Sequence, residues 1–198
     1  MSSRDAILSA IRAHLPKSRR PLPEIPRFAY PQVESLVERF GQSLERMGGR
    51  IIPPGPTHDP LAPVSEMLKA SHLVCSATPE MQGGLDLEKV VRSADLADVN
   101  HAIVRARFGV AETGSVLLTN EDLKINTLAY LAQHLIVLLD PTEIVADLHE
   151  AYRRPEFRER PYVVFHTGPS ATADIEGVLI RGAQGVRSLS VILAPNSR

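Results

Sequence analysis

His134-Leu135-Ile136-Val137-Leu138-Leu139 is the run on which the fold turns. Five apolar residues follow the histidine with no polar alternation, the pattern of a strand covered on both faces. Ala102-Ile103-Val104, Ser115-Val116-Leu117-Leu118, Leu73-Val74-Cys75, Tyr162 to Phe165 and Leu189 to Leu193 are further strand candidates, and several of them are also continuously apolar. Between them, residues 65–70, 141–153 and 172–181 read as helices. Strand–helix–strand succession predicts an α/β fold with a largely parallel sheet and helices on its faces.

Upstream of the first strand, Val33, Leu36, Val37, Phe40, Leu44 and Met47 trace one face of a helix, and Gly48-Gly49 supplies its stop. Residues 1–30 differ in character. Ile7, Ile11 and Leu15 recur at four-residue spacing behind Ser2 or Ser3 as N-cap, and a basic, proline-rich stretch follows. The sequence therefore divides into an N-terminal helix and arm over 1–30 and a domain over 31–198. The arm's apolar stripe needs a docking surface, on its own domain or on a neighbouring subunit of a homo-oligomer.

Composition excludes several classes. The 198 residues are 43% hydrophobic and 23% charged, with a net charge of -1, so no electrostatic case exists for nucleic acid or an anionic membrane. No basic-then-apolar signal pattern opens the sequence, and no apolar run reaches the ~18 residues of a membrane span. The expectation is a cytoplasmic chain. Cys75 is the one cysteine. A single thiol makes no internal disulfide and cannot hold an iron–sulfur cluster, which takes about four. There is no G-x-G-x-x-G after a strand, no P-loop and no G-x-S-x-G elbow. The seven histidines show no metal-ligand spacing, so no metal site is expected unless the fold gathers scattered ligands.

Two segments stand out. In Ala111-Glu112-Thr113-Gly114-Ser115 a carboxylate sits beside a glycine at a strand entry, which suits a nucleophile or general base. A simple turn, with Glu112 solvated, explains the same residues. The second segment, His166-Thr167-Gly168-Pro169-Ser170-Ala171-Thr172-Ala173-Asp174-Ile175-Glu176, follows a strand and is expected to open a helix capped by Ser170 or Thr172. Ligands of open α/β sheets bind at such places. Asp174 and Glu176 would satisfy the helix dipole and repel an anion, leaving a Thr or Ser hydroxyl as the group to meet a ligand. Gly182-Ala183-Gln184-Gly185 reads as the stop of that helix, and Tyr152 to Arg160 as a solvated basic loop.

In order, Val110-Ala111-Glu112-Thr113-Gly114-Ser115-Val116-Leu117-Leu118, Gln133 to Leu138, Thr167-Gly168-Pro169-Ser170-Ala171-Thr172-Ala173-Asp174-Ile175-Glu176 and Gly182 to Arg187 resemble the LUD-domain family, specifically the lactate utilisation protein C type. Val186 departs from it, since a proline commonly follows the glycine there. The resemblance implies a three-layer α/β fold, like that of the ribose-phosphate isomerase, glucosamine-phosphate deaminase and CoA-transferase group. It also implies a part in oxidising L-lactate to pyruvate beside iron–sulfur lactate utilisation proteins. Removing electrons from lactate needs a redox centre, and this sequence offers none. The expected role is thus a non-redox accessory subunit without a cofactor of its own, with a small carboxylate as substrate and iron–sulfur clusters in its partners. Candidate substrate-binding residues are Thr113, Gly114, Ser115, Thr167, Gly168, Ser170 and Thr172, with Glu112 the catalytic candidate. A stand-alone CoA-transferase or isomerase using Glu112 is the alternative, and a scaffold without catalysis comes third.

Overall fold

A computed structural model describes residues 2–16, 21, 23–26, 35–173, 177–182 and 184–196. The chain forms two compact units, Met1–Pro31 and Gln32–Arg198. In the first, helix α1 (Ser3–His14) starts at a capping box. The Ser2 hydroxyl accepts from the Asp5 backbone N–H, and the Asp5 carboxylate accepts from Ser2 N–H. No residue of α1 is buried, and Ile7, Ile11 and Leu15 are all exposed.

The second unit opens with α2 (Leu36–Arg46), capped by the Ser35 hydroxyl on Glu38 N–H and stopped at Gly48, whose φ is +90°. Phe40 and Leu44 on its inner face are fully buried, while Val33 lies outside the described residues. Strand β1 (Arg50–Ile52), helix α3 (Ala62–Leu68) and strands β2 (Val74–Ser76) and β3 (His101–Arg105) follow. Next come β4 (Phe108–Val110), β5 (Ser115–Thr119), the one-turn helices α4 (Asn120–Leu123) and α5 (Leu128–Leu131), and β6 (His134–Leu139). The chain ends with β7 (Ile144–Val145), α6 (Leu148–Ala151), α7 (Glu156–Glu159), β8 (Val163–His166), β9 (Ala171–Thr172), β10 (Ile180–Arg181) and β11 (Ser188–Leu193).

The central sheet has the order β1-β11-β6-β3-β2, and every neighbouring pair is parallel. Alternate residues of its strands feed two separate cores. Ala102, Val104, Leu135, Val137, Leu139, Leu189 and Val191 pack with Phe40 and Leu44 of α2 and with Leu123, Leu128 and Ala129 of α4 and α5. On the other face Ile52, Ile103, Ile136, Leu138 and Ile192 pack with Val64 of α3. Helices cover both faces of a mostly parallel sheet, a three-layer α/β arrangement, and the continuous apolar runs are its direct consequence.

Four expectations are corrected. Ser115–Leu118 and Tyr162–Phe165 do not join the parallel sheet. They lie antiparallel to one another in a second sheet of order β7-β4-β5-β8. The cause is local: Val110 and Ser115 are paired across a turn in which Gly114 adopts φ +67° and donates to Val110 O at 2.9 Å. Such a hairpin returns the chain antiparallel. Residues 141–153 are not one helix but a 3-10 turn at Pro141–Glu143, then β7, then α6. The Asp140 carboxylate caps that turn through Thr142 N–H, and Ile144 and Val145 are recruited as a parallel strand beside β4.

The helix expected over 172–181 is replaced at both ends by the antiparallel pair β9–β10, in which Ile180 faces Thr172 and Arg181 faces Ala171. Asp174, Ile175 and Glu176 lie outside the described residues. Val178 and Leu179 stay exposed, so neither contributes an apolar face that would hold a helix against the core. Ser170 and Thr172 accordingly stand beside and within strand β9 rather than at the start of a helix. Gly182 and Gly185 are turn glycines, φ +73° and +74°, on the way to β11. Finally, Tyr152 to Arg160 is not a bare solvated loop. It contains α7, and Arg154 pairs with Glu143 at 2.7 Å while lying over the Phe108 ring at 4.9 Å.

Candidate functional site

The Ala111–Ser115 turn and the segment after β8 meet because β5 and β8 are antiparallel neighbours, with Val116 facing His166. Residues just before β5 and just after β8 therefore share one edge of the second sheet. Ser115 Oγ lies 2.6 Å from Thr167 Oγ1 and Thr113 Oγ1 lies 2.7 Å from Ser115 Oγ, so three hydroxyls form one hydrogen-bonded chain. Three hydroxyls carry three protons, and their two mutual bonds use two of them. One O–H is left to donate elsewhere.

The last turn of α2 closes against both segments, and two glycines make that possible. A Cβ on Gly114 would fall 2.2 Å from Leu44 N, and one on Gly168 would fall 2.4 Å from the Met47 carbonyl oxygen. Both glycines also hold left-handed backbone, φ +67° and +66°. They are thus contact points for the helix rather than ligand groups in the first instance. The result is a cavity of about 660 Å³ lined by Ser43, Arg46 and Met47 from α2, by Glu112, Thr113, Ser115 and Thr167, and by Leu148, Tyr152 and Phe165.

Within it, the two charged groups differ in how they are held. Arg46 donates to Ser43 Oγ at 2.9 Å from the exposed end of α2. Glu112 is half-buried, and its Oε2 accepts from Leu148 N–H at 3.1 Å, at the first residue of α6. The structure thus makes Glu112 both a turn residue and a support for α6, while its side chain also lines the cavity.

A second, smaller cavity of about 390 Å³ shares Met47, Phe165 and Thr167 with the first. Gly168, Ser170, His166, Tyr130 and Gly185 are among its walls. Of the residues expected at a site, Glu112, Thr113, Ser115 and Thr167 line the larger cavity and Thr167, Gly168 and Ser170 the smaller. Gly114 and Thr172 line neither.

Two residues emerge that sequence reasoning did not single out. Arg46 had no motif and is found only through the packing of α2. His166 is 8% exposed, and its Nε2 is buried without a hydrogen-bond partner in the wall of the smaller cavity. Burial pushes its pKa down to about 4, so the ring is neutral at pH 7. Its place at the head of the segment was visible, but its burial was not. Tyr130 lies beside it at 5.2 Å between ring centroids, with its hydroxyl 2.8 Å from that of Tyr162. Burial, followed by that hydrogen bond, lifts the Tyr130 pKa to about 12. Cys75 is buried in the main core, and burial raises its thiol to about 11, so it is an inert packing residue.

Among the described residues no helix is long and apolar enough to cross a membrane, and no group of three or more His, Cys, Asp or Glu is arranged to hold a metal ion. Comparison with curated proteins gives no match. A solved structure of a DUF162 family protein from Deinococcus radiodurans is similar over 80% of this chain and 95% of its own length, with a TM-score of 0.61 and 16% identity. At that identity the likeness concerns the fold alone. The family model described as the LUD domain matches residues 62–194, which is more than half of the chain. That span takes in the whole central sheet apart from β1 and both segments of the larger cavity, while α2 precedes it. The chain belongs to the LUD domain family.

Proposed function

We propose that the chain is the non-redox subunit of an iron–sulfur-dependent system that oxidises L-lactate to pyruvate, the link to lactate utilisation coming with membership of the LUD domain family. In this reading it binds and orients a small carboxylate. The observation that carries it is the hydroxyl chain Thr113–Ser115–Thr167 on the wall of a cavity whose exposed edge bears Arg46. A guanidinium and a spare O–H suit a carboxylate, and the free oxygen of Glu112 suits the 2-hydroxyl of a hydroxy acid. Oxidation releases two electrons and two protons per lactate. The sequence holds one cysteine, and an iron–sulfur cluster takes about four. The electrons are therefore assigned to clusters in partner proteins.

Reconstitution tests this. The purified chain alone, given lactate and a dye acceptor, should reduce no dye, and should support dye reduction once cluster-bearing partners are added. In the reconstituted system Arg46→Gln should raise KM for lactate about tenfold with little change in kcat, the mark of a lost binding contact. Lactate-dependent dye reduction by the lone chain would overturn the assignment. The CoA-transferase alternative rests on Glu112 facing the same cavity. It requires acyl exchange by the isolated chain that disappears in Glu112→Gln, and absence of exchange across common acyl-CoAs removes it.

A further inference from the structure

The face of the central sheet that packs on α3 ends in a polar row with no assigned role. Parallel register sets His101 beside His134 and His134 beside Ser188, so the three residues stand side by side at the N-terminal ends of β3, β6 and β11. All three are on the same side as Ile103, Ile136 and Ile192 of the core under α3. The two imidazole rings stack with centroids 4.8 Å apart and planes 28° from parallel.

Serines hold both rings. Ser71 donates its hydroxyl to Asn100 Oδ1 at 2.9 Å, so at its contact with His101 Nδ1, 3.0 Å away, the hydroxyl oxygen must accept. His101 is therefore protonated on Nδ1, and when neutral its Nε2 is an acceptor. His134 Nδ1 lies 2.8 Å from Ser188 Oγ, which leaves its Nε2 outside that bond as well. Two residues along β11, Arg50 of β1 donates to Ser190 Oγ at 2.9 Å on the same face.

The charges around the pair all have one sign. His134, Arg50 and His72 act on His101, and Arg187 and Arg50 act on His134, and after burial they hold both rings below the usual histidine range. His72 itself contacts the Asp98 backbone carbonyl at 3.1 Å. Among the described residues no carboxylate hydrogen-bonds to either ring or offsets these cations. Two adjacent imidazoles could suggest a metal ion, but Arg50 and Arg187 oppose a cation there.

We propose that this row binds a small oxyanion of the phosphate class, either the free ion or the terminal phosphate of a small ester. The two rings take up protons from solvent as the anion binds. An entering dianion meets two Nε2–H donors and the fields of two guanidinium groups, and it supplies the negative charge that the row lacks. Because each ring must gain a proton, binding tightens as pH falls toward the histidine range. The site lies on the face of the central sheet opposite α2, so it stands apart from the lactate reading.

The test is an imidazole NMR titration of the full chain in chloride, in inorganic phosphate and in glycerol 3-phosphate. The expected result is a rise of about one unit in the pKa of His101 and His134, a tenfold change in proton affinity, while exposed His58 stays put. A rise with both anions assigns a phosphate ester as an acceptable ligand, and a rise with inorganic phosphate alone assigns the free ion. Arg50→Gln with Arg187→Gln, both at exposed positions, should abolish the rise while leaving the fold intact by circular dichroism. The proposal is overturned if neither ring responds, if His58 responds equally, or if the rise survives in that double variant.

Discussion

Gly114 and Gly168 are the residues on which the candidate site depends most directly. Each combines left-handed backbone with a Cβ direction occupied by the backbone of α2, at Leu44 N and Met47 O. Alanine at either position should cost about 2–4 kcal/mol, from the left-handed conformation and from the displacement of α2. Gly177 is the internal control: φ is +70° but nothing lies within 4 Å of its Cβ direction. Gly177→Ala should cost only about 1 kcal/mol. Urea unfolding of the three variants checks the ordering, and equal losses would show that the contact with α2 is immaterial. His166 makes a prediction in pH. Its folded pKa of about 4 lies below the ordinary histidine value of 6.5, so the unfolded chain takes up the proton first. The stability due to the neutral ring is complete above about pH 6.5 and drains away as pH falls toward 4, by about 3 kcal/mol. His101 and His134 are shifted in the same direction, so the difference between wild type and His166→Gln isolates this residue. That difference should vary with pH only in this window, and a flat difference would refute it.

At the scale of elements, α2 is the part that joins the site together. Phe40 and Leu44 are buried in the core shared with the central sheet, while Ser43, Arg46 and Met47 line the cavity. Leu44→Ala should cost about 2–5 kcal/mol by leaving a cavity beneath Gly114. It should also weaken lactate-dependent activity in the reconstituted system more than Val64→Ala does. Val64 of α3 is buried on the other face of the sheet and touches neither candidate cavity, which makes it the comparison of similar cost. Some elements were legible and some were not. The run over 134–139 matches β6 end to end, because a strand covered on both faces needs no alternation. The helix expected at 172–181 failed because its capping signals, Ser170 and Thr172, are equally good in turns and edge strands. Its apolar residues Val178 and Leu179 found no surface to bury them. Phe108-Gly109-Val110 was passed over altogether. Three residues with a central glycine carry no strand signal, and only pairing to both β5 and β7 makes them one.

For the molecule as a whole, composition and segment order carried the argument a long way. The single cysteine and the absence of any nucleotide fingerprint directed the redox chemistry of the proposed function to partner proteins. The runs of apolar residues, each about a strand in length and separated by helical or polar stretches, dictated a mostly parallel α/β core through local stereochemistry and burial. The Ala111–Ser115 and Thr167–Thr172 segments were also visible in the sequence, since glycine beside hydroxyl and carboxylate groups marks a backbone with special duties. What the sequence alone could not determine is which of those residues meet. Ser115 and Thr167 are 52 positions apart and come within 2.6 Å only because β5 and β8 pair antiparallel. Arg46 reaches the cavity only because Gly114 and Gly168 admit α2. His101 and His134 stack only because two parallel strands start in register. Hydrophobic periodicity is a local property, readable along the chain. The encounter of polar side chains is set by strand order and register, which arise only when the whole core is buried at once.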